Sequence, residues 1–431
     1  MKSKVMYNAS MDKIIFHIDV NSAYLSWSAL DKLHKGSDID LRAIPAIIGG
    51  DMAKRHGVVL AKSIPAKAYG IVTGEPIVNA MRKCPNLTLE PPDHHLYHRR
   101  SQELMTLLSD FSPDIEQVSV DECYMDYAPI RNHYSSPEDA ACIIKNRVRD
   151  QLGFTVNIGI SDRKVLAKMA SDFRKPDLVH TLYSYEIKDK MWPLPVSSLF
   201  MCGHSSVETL HKLEILTIGD LACADRSIVE AHLKSHGALL WEYANGIDNS
   251  EVITVQADAK GIGNSTTLSQ DATDKESVYR VLLSLAESVS HRLRAHNQAA
   301  GMISTEIKYN TFKKVSHQMT LYAPTNQTDL IYQTACALFD EIWDETPVRL
   351  LGIRSSKLVA DTEPVQLSLF DLPQAMQPAA STVRALPSSK KKEQLDAALD
   401  SIRKRYGDDA VVRGSLIAAR KSNSNDHTPQ N

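Results

Sequence analysis

The chain has 431 residues, enough for about two to four domains. With 43% hydrophobic and 23% charged residues it is composed like an ordinary globular protein, which excludes a disordered or fibrous chain. The 49 Lys and Arg against 52 Asp and Glu leave a net charge of -3, so a nucleic-acid partner would have to meet a local basic surface.

Cys84, Cys123, Cys142, Cys202, Cys223 and Cys336 are scattered, with no C-x-x-C pair. That argues against a zinc site or a disulfide scaffold and for a reducing compartment. No apolar run approaches the roughly 20 residues of a membrane span, and the N-terminus has no signal-peptide core. A cytoplasmic protein with no membrane partner is expected.

Residues 13–20 are a short apolar run with β-branched residues, which predicts a buried strand. Asp19 stands at its end. Asn21 and Ser22 offer N-cap chemistry for a helix carrying Tyr24, Leu25, Trp27 and Leu33. Residues 43–48 and 57–61 predict two strands joined by a glycine turn and a basic stretch. Residues 62–71 predict a short helix ended by Gly70, with Lys62 and Lys67 near each other. Taken alone, those lysines read as solvated surface. Helices follow at 77–83 and from about 97 to 109, with a strand at 87–89. Ser136 and Pro137 open another helix, and residues 154–160 read as a third buried strand. Ser161 is the expected cap of a helix holding Lys164 and Lys168, and the basic loop 173–177 follows it.

The most informative stretch is 119–126, where Asp121 and Glu122 adjoin inside an apolar run. An ionised carboxylate is costly to bury without a cation or hydrogen bonds. The pair is therefore either an exposed turn or a cation site. Successive strand residues point to opposite faces, so both acids can serve one place only at a bend, such as a hairpin tip. Asp19 ends a second strand, and lysines lie on nearby loops. That pattern suits a polyphosphate bound with a divalent ion.

Four segments in register carry a resemblance: 17–24 with His17, Asp19, Val20 and Tyr24; 119–124 with Asp121, Glu122 and Tyr124; 157–161 with Asn157 and Gly159; and 164–170 with Lys164 and Lys168. Together they resemble the Y-family translesion DNA polymerases, over about residues 13 to 360. The resemblance implies an α+β multidomain right hand. Its palm would be 13–34 and 88–180, its fingers 35–87, its helical thumb with a helix-hairpin-helix 181–246, and its α/β little finger 257–360. Residues 361–431 would be a flexible tail.

The resemblance also implies the chemistry: template-directed, low-fidelity addition of dNTPs to a primer 3′-hydroxyl, past lesions, by a monomer bound to primer-template DNA. Two Mg²⁺ ions would be held by Asp19, Asp121, Glu122 and the backbone carbonyl of Val20. Tyr24 would be the steric gate against a ribose 2′-hydroxyl, and Lys175 would bind the triphosphate. Lys67 stands where many members carry an arginine, which keeps the charge and loses the bidentate fork. Ile64 stands where many have a tyrosine, which implies a weaker grip on the nucleotide. Gly203 would offer its turn to a DNA phosphate, although Met201 replaces the expected first glycine. Residues 257–360 hold eleven basic and eleven acidic residues, so DNA would be met by a face built of Lys260, Lys308, Lys313, Lys314, Arg354 and Lys357.

From 361 the composition shifts to Pro, Ala, Ser and Gln, a linker signature. Gln366, Leu367, Leu369 and Phe370 within it resemble the peptide by which bacterial polymerases dock on the sliding clamp. Residues 390–405 predict an amphipathic helix with Leu395, Leu399, Ile402 and Tyr406 on one face, which either packs on the body or meets a partner. Two other readings compete. A nucleotide cyclase would use the same acids but needs no duplex grip. A clamp-bound scaffold with a decayed site would not need Asp19, Asp121 and Glu122.

Overall fold

The computed structural model describes residues 13–50, 57–255, 258–362, 390–407, 410–411 and 413–414. Contacts divide the described residues into two units, one up to 255 and one from 258.

The first unit is built on a five-stranded sheet. Its strands are β1 (Ile15–Val20), β5 (Ile115–Gln117), β6 (Glu122–Asp126), β7 (Val156–Ser161) and β8 (Val179–Thr181), in the order β5-β6-β1-β7-β8. Neighbours are antiparallel except β7 and β8. Alternation sorts the side chains onto two faces. Phe16, Ile18, Val20, Cys123, Met125, Val156, Ile158 and Ile160 enter the main core with Trp27 of α1 (Ala23–His34), Leu104 of α4 (His94–Ser109) and Ile144 of α5 (Pro137–Leu152). The alternate residues face α6 (Lys164–Asp172), where Ile15 and Tyr124 pack on Ala167. A smaller sheet of β2 (Ala46–Gly49), β3 (Val59–Lys62) and β4 (Thr88–Glu90) packs with α2 (Ile64–Ala68) and α3 (Ile77–Lys83). A helical part follows: α7 (Ile187–Lys190), α8 (His204–Lys212), α9 (Ile218–Cys223) and α10 (Arg226–Ala244), the last broken at Lys234.

The second unit is a four-stranded antiparallel sheet with its helices packed into one core. It runs β9 (Gly261–Ala272), α11 (Lys275–Ala295), β10 (Gln298–Tyr309), β11 (Lys314–Thr325), α12 (Thr328–Ile342) and β12 (Val348–Ala360), with strand order β11-β10-β12-β9.

Some sequence expectations need correction. Ser22 occupies the first cap but makes no side-chain cap bond, because its backbone is left-handed (φ 49°). Ser161 belongs to β7, and its hydroxyl donates to the Leu182 carbonyl at 2.6 Å. The sequence predicts no strand at β8 or β9. β8 is too short to show a period, and β9 is rich in Gly, Ser and Thr and is a strand through its pairing with β12.

The C-terminal helix α13 (Lys390–Tyr406) packs on the second unit through its charged face. Of the expected apolar face, Leu395, Ile402 and Tyr406 are exposed and Leu399 is half-buried. Asp396 is buried, and its carboxylate accepts the Thr328 N–H at 3.0 Å, where α12 lacks a side-chain cap of its own. Arg294 donates to Asp400 at 2.6 Å and to Asp396 at 3.3 Å, and His291 reaches Asp400 at 2.8 Å. Arg403 and Arg413 pair with Glu287, and Lys392 with Asp329.

Burial pushes the Asp400 carboxyl up, but hydrogen bonds from Arg294 and His291 outweigh it and hold it below its usual value. Asp329 is likewise held low against burial by Lys392 and Arg413. A carboxyl depressed on folding stabilises above its unfolded pKa, about 3.9, and that contribution is lost as pH falls through the folded value. Acidification below about pH 4 is therefore expected to release α13 before the sheet opens. Hydrogen exchange followed across pH 7 to 3 reads this directly, and Arg294→Gln should move release to higher pH. Equal protection of α13 throughout that range would refute it.

Candidate active site

Register builds the site. Asp19 of β1 lies opposite Glu122 of β6 on one side and Asn157 of β7 on the other. His17 lies opposite Tyr124 and Gly159. All six therefore share the sheet face covered by α6. Gly159 makes that cover possible, since a Cβ there would sit 2.0 Å from the Ala167 carbonyl oxygen. Helix and sheet are in backbone contact at this point, which brings Lys168 and Ser171 down onto the acids.

Asp121 reaches the same place by a different route. It sits in the bend just before β6, the hairpin geometry that the adjacent acids required. Its backbone carbonyl accepts the Val20 N–H at 3.0 Å, which ties the bend to the end of β1. Ser119 donates to its carboxylate at 2.7 Å. Burial pushes the Asp121 carboxyl up; Ser119 opposes this, and the charges of Asp19 and Glu122 add to it.

Glu122 is the opposite case. Its interaction with His17, 3.3 Å away, and the Lys168 ammonium at 2.6 Å hold its carboxyl at about 2, against the burial that would raise it. Lys168 also reaches Asp19 at 3.2 Å, and Lys175 reaches Asp19 at 3.1 Å. Burial pushes both ammonium groups down, and the surrounding carboxylates more than reverse it. Lys175 comes from the basic loop, which Asn157 pins to the sheet. The Asn157 side chain donates to the Arg174 carbonyl at 2.6 Å and accepts the Leu178 N–H at 3.2 Å.

His17 is 1% exposed, and its Nδ1 is 2.9 Å from the Ser171 hydroxyl. Its Nε2 faces Glu122 without a well-formed hydrogen bond, and burial pushes its pKa down. His17, Asp19 and Glu122 are near enough together to hold one metal ion. Sequence reasoning gave His17 and Lys168 no role. The signal for His17 was present, because it stands two residues before Asp19 and alternation puts both on one face. Lys168 needed the docking of α6.

Tyr24 stacks on Tyr97 at 4.2 Å and 8°, over a plinth that includes Trp27. Burial raises its hydroxyl pKa, and the charge of Asp121 adds to this, so the ring borders the acids. Lys67 and Ile64 are exposed on α2. Lys67 lies close enough to Lys62 to lower its pKa, second to burial. Gly203 is the N-cap of α8, and Met201 before it adopts a left-handed backbone (φ 69°), the conformation a glycine would take without cost. Lys260, Lys313, Lys314, Arg354 and Lys357 are exposed on the second unit, and Lys308 is half-buried there. The residues Gln366, Leu367, Leu369 and Phe370 lie outside the described residues.

The impB/mucB/samB family profile matches residues 18–172, and the profile of that family's C-terminal domain matches 259–369. DNA polymerase IV of Clostridium acetobutylicum is 48% identical over 407 residues, covering 94% of this chain and 99% of that protein. DNA polymerase IV 1 of Bacillus subtilis is 34% identical, covering 95% and 94%. A solved Dbh–Dpo4 Y-family DNA polymerase chimera matches the fold with a TM-score of 0.70 at 21% identity, covering 80% of this chain and 99% of that one. Both profiles occur in order and the curated relatives match along nearly their whole length, so the chain belongs to the impB/mucB/samB family of Y-family DNA polymerases.

Proposed function

We propose that the protein is a template-directed DNA polymerase of low fidelity that extends a primer past damaged template bases. One observation carries the reading: Asp19, Asp121 and Glu122 converge with Lys168 and Lys175 at the end of a buried sheet, in a chain that matches DNA polymerase IV along its length. The carboxylates are hard oxygen donors; burial first, and then the charges of Asp19 and Glu122, push the Asp121 carboxyl up, and a bound cation would offset both. Asp19, Asp121, Glu122 and the Val20 carbonyl would hold two Mg²⁺ ions, which when bound acidify the primer 3′-hydroxyl and stabilise the leaving pyrophosphate.

The chain's own groups do the rest. His17 and Lys168 keep Glu122 ionised and aimed. Lys175, with Lys67 on α2, neutralises the incoming triphosphate. Ile64 offers it no hydroxyl. The Tyr24 ring closes the space beneath the sugar. In this reading the palm is 13–34 and 88–180, the fingers 35–87, the thumb 181–246 and the little finger 257–360. Gly203 presents its turn to a backbone phosphate. Lys260, Lys308, Lys313, Lys314, Arg354 and Lys357 meet DNA on the little finger, and binding should weaken as salt rises. Gln366, Leu367, Leu369 and Phe370 dock on the bacterial sliding clamp. The enzyme works as a cytoplasmic monomer.

Primer extension by the purified chain with Mg²⁺ tests this. Extension of a primer over an abasic or alkylated template is expected. Nucleotide cyclisation without extension would replace the reading with a cyclase. Adding the clamp should stimulate extension, and Leu369→Ala with Phe370→Ala should remove the stimulation.

A further inference from the structure

The β10–β11 hairpin is turned by Asn310, Thr311 and Phe312. Phe312 N–H donates to the Tyr309 carbonyl and Tyr309 N–H to the Lys313 carbonyl, both at 2.9 Å. Asn310 N–H donates to the Pro347 carbonyl at 3.0 Å, which fixes the tip against the start of β12. Phe312 takes the left-handed position (φ 68°) that three-residue hairpin loops normally give to glycine. Its ring is 60% exposed. Lys308 lies over the ring 4.6 Å from its centre, and Arg349 lies over it at 4.9 Å.

The charge balance here is one-sided. Lys314 pairs with Glu306 at 3.1 Å. Lys308, Lys313 and Arg349 have no carboxylate partner among the described residues. Two cations over one exposed ring, with Lys313 beside it in the chain and none of the three paired with a carboxylate among the described residues, match neither a hydrophobic contact nor a self-neutralised surface. They match an anion that also has a flat π face. Stacking on aromatic rings beside cationic groups is how proteins hold unpaired nucleotides.

We infer that the hairpin tip of Phe312, flanked by Lys308, Lys313 and Arg349, is a stacking site for an unpaired base of the DNA strand that the second unit grips. The site rests on the polymerase reading above and adds a base-contacting element to it. The base displaces a cation from the ring face, and the cations move onto the adjoining phosphates. The glycine position is given to phenylalanine because the ring is needed there.

The test uses the full chain and two probes, a duplex with a single-stranded overhang bearing 2-aminopurine and the same duplex blunt-ended. Phe312→Gly removes the ring while suiting the turn. It should weaken overhang DNA about tenfold, abolish the fluorescence quenching and leave blunt-duplex affinity unchanged. Phe312→Trp should retain the overhang preference. Lys308→Gln with Arg349→Gln should weaken both probes and flatten the salt slope by about two. The inference falls if Phe312→Gly weakens both probes equally or neither. An acidic protein as the true partner would leave both DNA affinities untouched, which also overturns it. Wild-type primer extension, run alongside, separates failure of this site from failure of the polymerase reading.

Discussion

Asp121→Asn and Glu122→Gln are expected to abolish primer extension alike, yet to move stability in opposite directions. Each removes a carboxylate from the proposed metal cage, a loss of several kcal/mol of transition-state stabilisation, or about 10³-fold in rate. Without metal, the two acids sit in different fields. Asp121 is half-buried beside two like charges, and desolvation and those charges raise its carboxyl pKa, so its ionised form is an electrostatic burden at neutral pH. Asparagine removes that charge and keeps an acceptor for the Ser119 hydroxyl. Glu122 is held at about 2 by His17 and Lys168, so its charge is wanted. Glutamine there loses an ion pair on a partly buried lysine. In EDTA, the melting temperature should rise for Asp121→Asn and fall for Glu122→Gln, by about 1 kcal/mol each, or roughly 2–4 °C. Retained extension in either variant would remove the catalytic assignment, and shifts of the same sign would remove the electrostatic account.

Tyr24→Ala should admit ribonucleotides. The ring is held by stacking on Tyr97, itself buried and bonded to the Ser28 hydroxyl at 3.0 Å. It cannot swing away without losing that contact. Removing it opens a space of ring size beside the acids, and the dNTP-over-rNTP ratio of kcat/KM should fall at least about tenfold. Tyr24→Phe should keep the ratio, because bulk and not the hydroxyl does the excluding. An unchanged ratio in Tyr24→Ala would refute the gate.

Much of this site was legible in the chain. Alternation in residues 15–20 and 156–161 separates an apolar set from His17, Asp19, Asn157 and Gly159. The adjacent Asp121 and Glu122 demanded a bend, and the structure has one. The tail helix was legible as a helix, but the face by which it packs was not. Leu395, Ile402 and Tyr406 are exposed, while Asp396 is buried as the cap of α12. A hydrophobic pattern cannot foresee that a neighbouring helix lacks an N-terminal acceptor. Phe312 was likewise invisible, since an aromatic residue in a turn shows its exposure and its cations only once Arg349 is folded beside it.

The sequence by itself determined most of the elements and which residues share a strand face, because period and turn chemistry are local. It also placed an acid at each of two strand ends. Only the tertiary structure decided that those ends are one place. Asp19 faces Glu122 through strand register, and Lys168 reaches both through a helix that lies on the sheet at Gly159. Register and close packing depend on contacts between residues far apart in the chain, so no local pattern contains them.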